Sequence, residues 1–484
     1  MENSRILVLI RGFADRVFLY CLYVLLFVTA WAVGYRMSVP YFYWQLLDEG
    51  LLRHRLLESI LNLHSQPPLL NLFLGLVLKL SDLTGLRAEG ILLIVQFVLG
   101  GVVVIALYSL ARSLVKPRPL LFAVMAVFLL NPFFYDSIFF YFYTLYELVF
   151  LSLLALCVYR YLSGSGFRYF ALACLLAAGL VYTRSLFHFI WALAGLAILP
   201  LFAGGKTARL SGYTPKVVLC ITATALLLFA WPLKNYARFG FFGYSSWQGY
   251  NISSGLPVAS PPLFDIFYRS RFVPLREQER QFAGSFVPAG YASIPALAEV
   301  TKPDNSPNWN HYSVIALSKQ MGSEAWAAML DKPSLIISKA YDFYVNGYSI
   351  YEGRDPYYGD IGKPQIKPLP GSVGWMKAFE TAVFQYRGDT VPLDGPPVPH
   401  TGFAYIFPIV ILLSIAAIAL NWKTDPVGAA TAGFLLYCVL WVLLMVLFVD
   451  GVEGNRMRFS TEPFTFILAG WSLWKITSRI KAVS

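Results

Sequence analysis

The sequence is dominated by apolar runs of about 20 residues, the length that an α-helix needs to cross a bilayer. We count about ten such runs, at 17–35, 90–111, 119–135, 140–160, 169–184, 187–203, 216–233, 402–420, 428–449 and 463–475. Charged residues make up only 13% of the chain, against roughly 25% in soluble proteins. Aromatic residues reach 17%, which is typical of chains that sit at membrane–water interfaces. An ordinary soluble enzyme is therefore excluded.

A further apolar run, 67–84, decides the topology, because counting it as a span reverses the side of everything downstream. If it does not cross and the amino terminus is cytoplasmic, the cytoplasmic segments carry an excess of lysine and arginine, as the positive-inside rule demands. If it does cross, Arg112, Lys116 and Arg118 move to the wrong side. We therefore expect 67–84 to be a helix lying at the outer face.

These patterns predict an all-α polytopic membrane protein of about ten transmembrane helices, with a mixed extracytoplasmic domain in one long loop. We divide the chain into a transmembrane module of seven spans with a long first outer loop, an extracytoplasmic domain rich in Pro and Gly, and three carboxy-terminal spans. The boundaries are 1–233 with its loop 36–89, then 234–401, then 402–484. Within the outer domain, 309–346 predicts two helices broken at Pro333.

Several function classes are disfavoured by what the sequence lacks. The net charge of +11 is spread along the chain rather than gathered in one patch, so we expect no nucleic-acid partner. All five cysteines lie in apolar runs, which disfavours a disulfide framework or a metal site. There is no Walker loop, no GxGxxG after a strand, no HExxH and no GxSxG. A reaction at the outer face would thus use a donor delivered through the lipid.

The first outer loop holds the candidate acid–base residues. Asp48 and Glu49 follow an aromatic cluster, and a carboxylate placed against an acceptor hydroxyl can do acid–base work. Ordinary solvated loop charges are the alternative interpretation of this pair. Pro67 and Pro68 stop one helix and start the next, which would place His64 at a rigid corner. His64 could orient a carboxylate or bind a phosphate, although a lone histidine is more often structural.

Charged residues also occur at the outer ends of the predicted spans. Glu147 lies inside a span, where a charge is rarely kept without a partner or a cavity, so we expect it to contact substrate. Arg184 lies where two spans turn at the same face, and snorkelling to the headgroups is an equal alternative. Arg456 and Arg458 oppose the positive-inside bias, and guanidinium groups bind phosphate oxygens bidentately. Pairing with nearby carboxylates or lipid headgroups remains the alternative for this arginine pair.

Five motifs in order carry a family resemblance: Asp48-Glu49, the HSQPPL element at 64–69, Thr183-Arg184, the stretch 231–251, and the R-x-R-x-x-x-E-P pattern at 456–463. Over nearly the whole chain the sequence resembles integral-membrane glycosyltransferases of the GT-C fold. More narrowly, it is similar to the branch that uses polyprenyl-phosphate sugars, which includes protein O-mannosyltransferases and lipid A aminoarabinose transferases. Two departures stand out: Ser65 and Gln66 separate His64 from the prolines, and Lys234 stands where related sequences often have arginine.

The resemblance implies roles for individual residues. Asp48 would be the base next to the acceptor, with Glu49 as its partner or substitute. His64 and Gln66 would line the same substrate site. Three arginines would neutralise the phosphate that leaves the donor: Arg184, Arg456 and Arg458. No cofactor is expected, and no essential divalent metal, because Asp48-Glu49 lacks a DxD-like set of oxygen ligands.

The predicted activity is transfer of a sugar from a polyprenyl phosphate to a hydroxyl acceptor at the outer face, by a single inverting displacement. The expected partners are the polyprenyl-phosphate sugar, a glycan, lipid or protein acceptor, and membrane lipids. We expect a bacterial inner membrane, with the endoplasmic reticulum as the alternative. A flippase or transporter, or a ligase of lipid-linked sugars, is the competing function.

Overall fold

The computed structural model describes residues 2–32, 34–205, 212–259, 261–270, 273–349, 402–448 and 454–483. Over these residues the chain forms helices, turns, loops and two isolated β-bridges, and no strand. The first helices are α1 (Glu2–Ala32), α2 (Glu49–His54), α3 (Leu56–Leu61), α4 (Leu69–Thr84), α5 (Ala88–Leu114), α6 (Arg118–Leu129), α7 (Pro132–Phe139), α8 (Tyr143–Leu162), α9 (Phe167–Thr183), α10 (Phe189–Ile198) and α11 (Pro215–Phe239).

The next helices are shorter and belong to the predicted outer domain: α12 (Gln248–Ser253), α13 (Pro262–Arg269), α14 (Glu277–Gly284), α15 (Pro295–Ala298), α16 (Ser313–Asp331) and α17 (Ser334–Ser349). The carboxy-terminal helices are α18 (Gly402–Asn421), α19 (Pro426–Phe448), α20 (Gly454–Phe459) and α21 (Glu462–Val483). Two 3₁₀ segments complete the described structure, Leu199–Gly205 and Ala289–Tyr291.

Five helices in the described residues are long and apolar enough to cross a membrane: Gly12–Ala32 of α1, α5, α8, α11 and α19. The bent pair of α6 and α7 would add a sixth. Shorter apolar helices also occur, at Phe167–Thr183, Phe189–Phe202 and Ile406–Asn421. The predicted fold class, a helical membrane protein, is therefore confirmed.

The predicted run 119–135 is not one straight helix. The chain bends by 50° between α6 and α7. The side chain of Asn131 accepts a hydrogen bond from the Phe133 amide at 3.0 Å and so caps α7. Pro132 follows at the first helical position, where its missing N–H costs nothing. An apolar pattern alone does not reveal such a break.

Helix α11 continues past the predicted domain boundary at 233. It ends only at Gly240, which takes the left-handed conformation with φ of 74° that favours glycine after a helix. The extra turns carry Lys234 and Arg238, whose side chains donate to backbone carbonyls of the first outer loop. The helix therefore spans the junction between two predicted domains.

The described part of the long loop consists of helices and loops only, although we expected mixed structure there. The predicted break at Pro333 is confirmed, because α16 ends at Asp331 and α17 begins at Ser334. This region has a small core of its own, formed by Trp247, Phe267, Trp309, Val314 and Leu317 among others. Residues 350–401 lie outside the described residues.

Helix α8 lies at the centre of the main bundle. It packs against α5, α9 and α19, and it also meets the short helix α20. Most of its side chains are buried in the large apolar core that joins these helices. A charged group on α8 near this core must consequently find its partner within the protein.

Candidate functional site

Asp48 is the cap of a short helix in the first outer loop. Its Oδ1 accepts a hydrogen bond from the Leu51 amide at 3.1 Å, which starts α2. The preceding turn is held by Asn71, which accepts from the Leu47 amide at 2.8 Å and donates to the Gln45 carbonyl at 2.9 Å. The Asp48 side chain is half-buried. It is a fixed carboxylate that retains access to solvent.

Glu49 belongs to a different network from Asp48. Its carboxylate pairs with Arg53 one turn along α2, at 2.8 Å. Arg53 also pairs with Asp82 of α4 and donates to the Leu78 carbonyl. Glu49 therefore helps to join α2 to α4, and the structure does not pair it with Asp48.

Lys302 was missed by the sequence analysis. It lies in the loop between α15 and α16, is buried, and donates from Nζ to the carbonyls of Tyr41 at 2.6 Å and Tyr43 at 2.7 Å. Burial lowers the pKa of Lys302 to about 7, and the negative charges of Asp304 and Asp48 oppose that change. No local pattern marks this lysine, since its carbonyl partners lie 261 and 259 residues earlier in the chain.

His64 is completely buried and contacts residues of the predicted outer domain. Its Nδ1 lies 2.8 Å from Ser246 Oγ, and its ring packs edge-on against Phe239. Burial lowers the pKa of His64 to about 3, so the imidazole is neutral at physiological pH. Gln66, two residues on, is half-buried. The two side chains that were predicted to line one substrate site therefore differ in exposure.

Glu147 and Arg184 form a buried ion pair. Arg184 Nη1 lies 2.9 Å from Glu147 Oε1, and both side chains are almost fully excluded from solvent. The guanidinium also covers the ring of Tyr143 at 4.1 Å, a cation–π contact. Both residues are unusual for their positions in the sequence, but no local pattern predicts that they are partners.

Arg458 forms a second buried pair, with Glu462 at 2.7 Å. Asn131, at the bend between α6 and α7, donates to the other oxygen of Glu462 at 3.3 Å. Pairing with a nearby carboxylate was the alternative interpretation of this arginine, and the pair is present. Arg456 lies on α20, and its side chain is outside the described part of the structure.

Backbone contacts connect the first outer loop to the bundle near these pairs. The Ser38 amide donates to the Phe139 carbonyl, and the Tyr141 amide donates to the Ser38 carbonyl, both at 2.9 Å. The ring of Tyr43 then packs against Phe142 at 5.3 Å. Phe142 directly precedes α8, the helix of Glu147. The loop of Asp48 and the first ion pair thus share one junction.

A half-buried carboxylate at Asp136 also escaped the sequence analysis. It lies on α7 and forms a side-chain hydrogen bond with Tyr35, which is buried. The sequence does contain a signal for Asp136, because an acidic residue inside an apolar run is costly to keep there without a partner. Among the residues that the structure describes, no cluster of three His, Cys, Asp or Glu side chains has the arrangement of a metal site. Metal independence stays a prediction.

Comparison with known proteins gives no relative. No protein-family model, no curated protein and no solved structure matches the chain. The resemblance to the GT-C glycosyltransferases thus rests on the motifs alone.

Proposed function

We propose that the protein is a glycosyltransferase that moves a sugar from a polyprenyl phosphate to a hydroxyl acceptor at the outer membrane face. One observation carries the proposal: the half-buried carboxylate of Asp48 lies in a loop whose Tyr43 packs on Phe142, directly before α8, the helix that carries Glu147 of the buried Glu147–Arg184 pair. A base beside the acceptor and cations near a leaving phosphate are the two elements that such a transfer requires.

The proposed topology has ten spans, with α4 lying in the outer interface. Three observations support it. The Asn131–Glu462 and Glu147–Arg184 contacts join the ends of α6, α8, α9 and α21 that this topology assigns to the outer face. Asp15 and Arg118 pair at the opposite end of the bundle. Helix α4 buries Leu70, Leu74 and Leu78 against the protein and leaves Leu76, Leu80 and Leu83 exposed, so this topology has an apolar face for α4 to turn toward the lipid.

In the proposed reaction the acceptor oxygen attacks the anomeric carbon of the donor sugar. The bond from this carbon to the phosphate oxygen breaks, and its electron pair leaves with the polyprenyl phosphate. Asp48 receives the hydroxyl proton. Arg184, Arg456 and Arg458 stabilise the charge that grows on the phosphate, since a guanidinium has five N–H donors and can bind a carboxylate and a phosphate together.

The test measures release of polyprenyl phosphate from a panel of labelled polyprenyl-phosphate sugars by the detergent-purified full chain, with a crude acceptor extract. Asp48→Asn keeps a side chain that caps helices equally well but removes the base. We expect its turnover to fall by about 100-fold or more. Glu58→Gln, an exposed acid of the same loop paired with Arg55, should match the wild type.

Two outcomes would overturn the proposal in different ways. Equal turnover by wild type and Asp48→Asn would remove Asp48 as the base. If no donor of the panel is consumed, the proposed activity fails, and a flippase or a ligase of lipid-linked sugars becomes the better hypothesis.

A further inference from the structure

The first outer loop is held by side chains that come from much later in the chain. Beyond Asp48, at residues 61–65, the backbone is bound by Lys234 and Arg238 of α11 and by Asn310. Before Asp48, at Tyr41 and Tyr43, Lys302 is the long-range side chain that binds the backbone carbonyls. The two attachments lie on opposite sides of Asp48 in the sequence.

Burying the Lys302 side chain at this attachment costs free energy. The side chain is 6% exposed, and moving an ammonium group out of water costs several kcal/mol unless its hydrogen bonds are replaced. Its two carbonyl contacts, at 2.6 and 2.7 Å, have the short lengths of charge-assisted bonds. An apolar side chain could fill this space without the free-energy cost of removing Nζ from water. The presence of lysine is therefore better explained by the two carbonyls that its Nζ binds.

The loop between these carbonyls and Asp48 is short and already ordered by local contacts. The Leu46 amide donates to the Tyr43 carbonyl at 3.2 Å, and the Leu47 amide donates to Asn71. Because the Leu46 amide is bonded to the Tyr43 carbonyl, a movement of this carbonyl would also move the backbone just before Asp48. The Lys302 charge is also close enough to interact electrostatically with the Asp48 carboxylate.

We propose that Lys302 is a positioning residue for Asp48: its buried Nζ donates to the carbonyls of Tyr41 and Tyr43, fixes this turn, and thereby fixes the place of the Asp48 carboxylate at the acceptor. This inference rests on the proposed function for its catalytic part. Its structural part, the fixing of the turn, can be tested without any activity.

The structural test is hydrogen exchange on the detergent-purified full chain. In Lys302→Met, which keeps the length of the side chain but removes the donors, amides of residues 43–52 should exchange at least tenfold faster. Amides of His64 and Ser65, which Asn310 holds, should not change. Lys319→Met, an exposed lysine of α16, is the matched control. Unchanged exchange at 43–52 in Lys302→Met would overturn the proposal.

The catalytic test is a double-mutant cycle with the same donor assay. Lys302→Met should lower kcat about tenfold or more with little change in the KM for the donor, and Lys302→Arg should recover part of the loss. In an Asp48→Asn background, Lys302→Met should cost nothing further, because the group that it positions is gone. An equal loss in both backgrounds would mean a general structural role and would overturn the positioning role.

The two proposals fail in distinguishable ways. If the wild type consumes no donor while exchange at 43–52 accelerates in Lys302→Met, the glycosyltransferase proposal fails and the anchoring by Lys302 stands. If the wild type consumes donor and amide exchange at 43–52 is unchanged in Lys302→Met, the glycosyltransferase proposal stands and the anchoring by Lys302 fails.

Discussion

Arg184 Nη1 lies 2.9 Å from Glu147 Oε1, with the guanidinium stacked over Tyr143 inside the bundle. The pair joins the end of α9 to the first turns of α8. Two charges that would each be costly in an apolar core are tolerated because they neutralise one another. The pair therefore has a structural consequence that does not depend on the proposed activity.

Removing one partner of this pair should destabilise the protein strongly. Glu147→Ala removes the carboxylate from a buried ion pair, and breaking such a pair typically costs about 3–5 kcal/mol. Replacing both, in Glu147→Leu with Arg184→Met, should recover most of that loss. Thermal unfolding in detergent measures both variants. Glu58→Ala, which breaks the exposed Arg55–Glu58 pair, is the control and should cost less than about 1 kcal/mol.

Asn310 should prove essential for docking the outer domain on the first outer loop. Its Oδ1 accepts from the amides of His64 and Ser65, and its Nδ2 donates to the carbonyls of Asn62 and Ala296. Asn310→Ala leaves these buried groups unsatisfied, at roughly 1–3 kcal/mol each. We expect faster amide exchange at residues 62–65 and a lower unfolding temperature. Equal stability of Asn310→Ala and the exposed control Gln320→Ala would contradict this.

Helices α12 and α16 should not tolerate a side chain where they cross. A Cβ added to Gly249 would lie 1.9 Å from the Ser318 carbonyl oxygen, and one added to Gly322 would lie 2.9 Å from the Gly249 Cα. Because both obstacles are backbone atoms, the helices must move apart. Gly249→Ala should cost about 1–3 kcal/mol or more in a thermal melt. Gly284→Ala, with no heavy atom within 4 Å of the new Cβ, serves as the comparison.

Acid should destabilise the protein through two buried histidines. Burial lowers the pKa of His64 to about 3 and that of His311 to about 4, against about 6.5 in the unfolded chain. As the pH falls below 6.5, the unfolded chain binds protons that the folded protein does not, so stability is lost. The loss is about 1.4 kcal/mol per pH unit and per histidine down to the folded pKa.

The measurement is the unfolding temperature between pH 7 and pH 5 for the wild type and for His64→Gln and His311→Gln. Each variant should show a shallower fall than the wild type, because it lacks one of the groups that take up a proton on unfolding. The exposed His54 offers a control, and His54→Gln should follow the wild type. Parallel curves for all four proteins would show that neither buried histidine titrates as its burial requires.

The sequence by itself was sufficient for the class of fold. Hydropathy and helical periodicity depend on neighbours along the chain, so the long apolar helices, the helix α4 and the break at Pro333 could be predicted from local patterns. The bend between α6 and α7 and the extension of α11 to Phe239 were not predicted. Both depend on polar groups. Asn131 caps α7 inside the apolar run 119–135, and Lys234 makes its contacts just beyond the run 216–233.

For the candidate site, the sequence identified residues that are chemically unusual where they stand, such as Glu147, Arg184 and Arg458. Only the tertiary structure joined Glu147 to Arg184, enclosed His64, and brought Lys302 to the loop of Asp48. The Glu49–Arg53 and Arg458–Glu462 pairs, by contrast, join residues four apart in the sequence and are local contacts. The physical reason is that local propensity acts over a few residues. Ion pairs and hydrogen bonds instead require groups to meet within about 3 Å, and distant parts of a chain meet only when it folds.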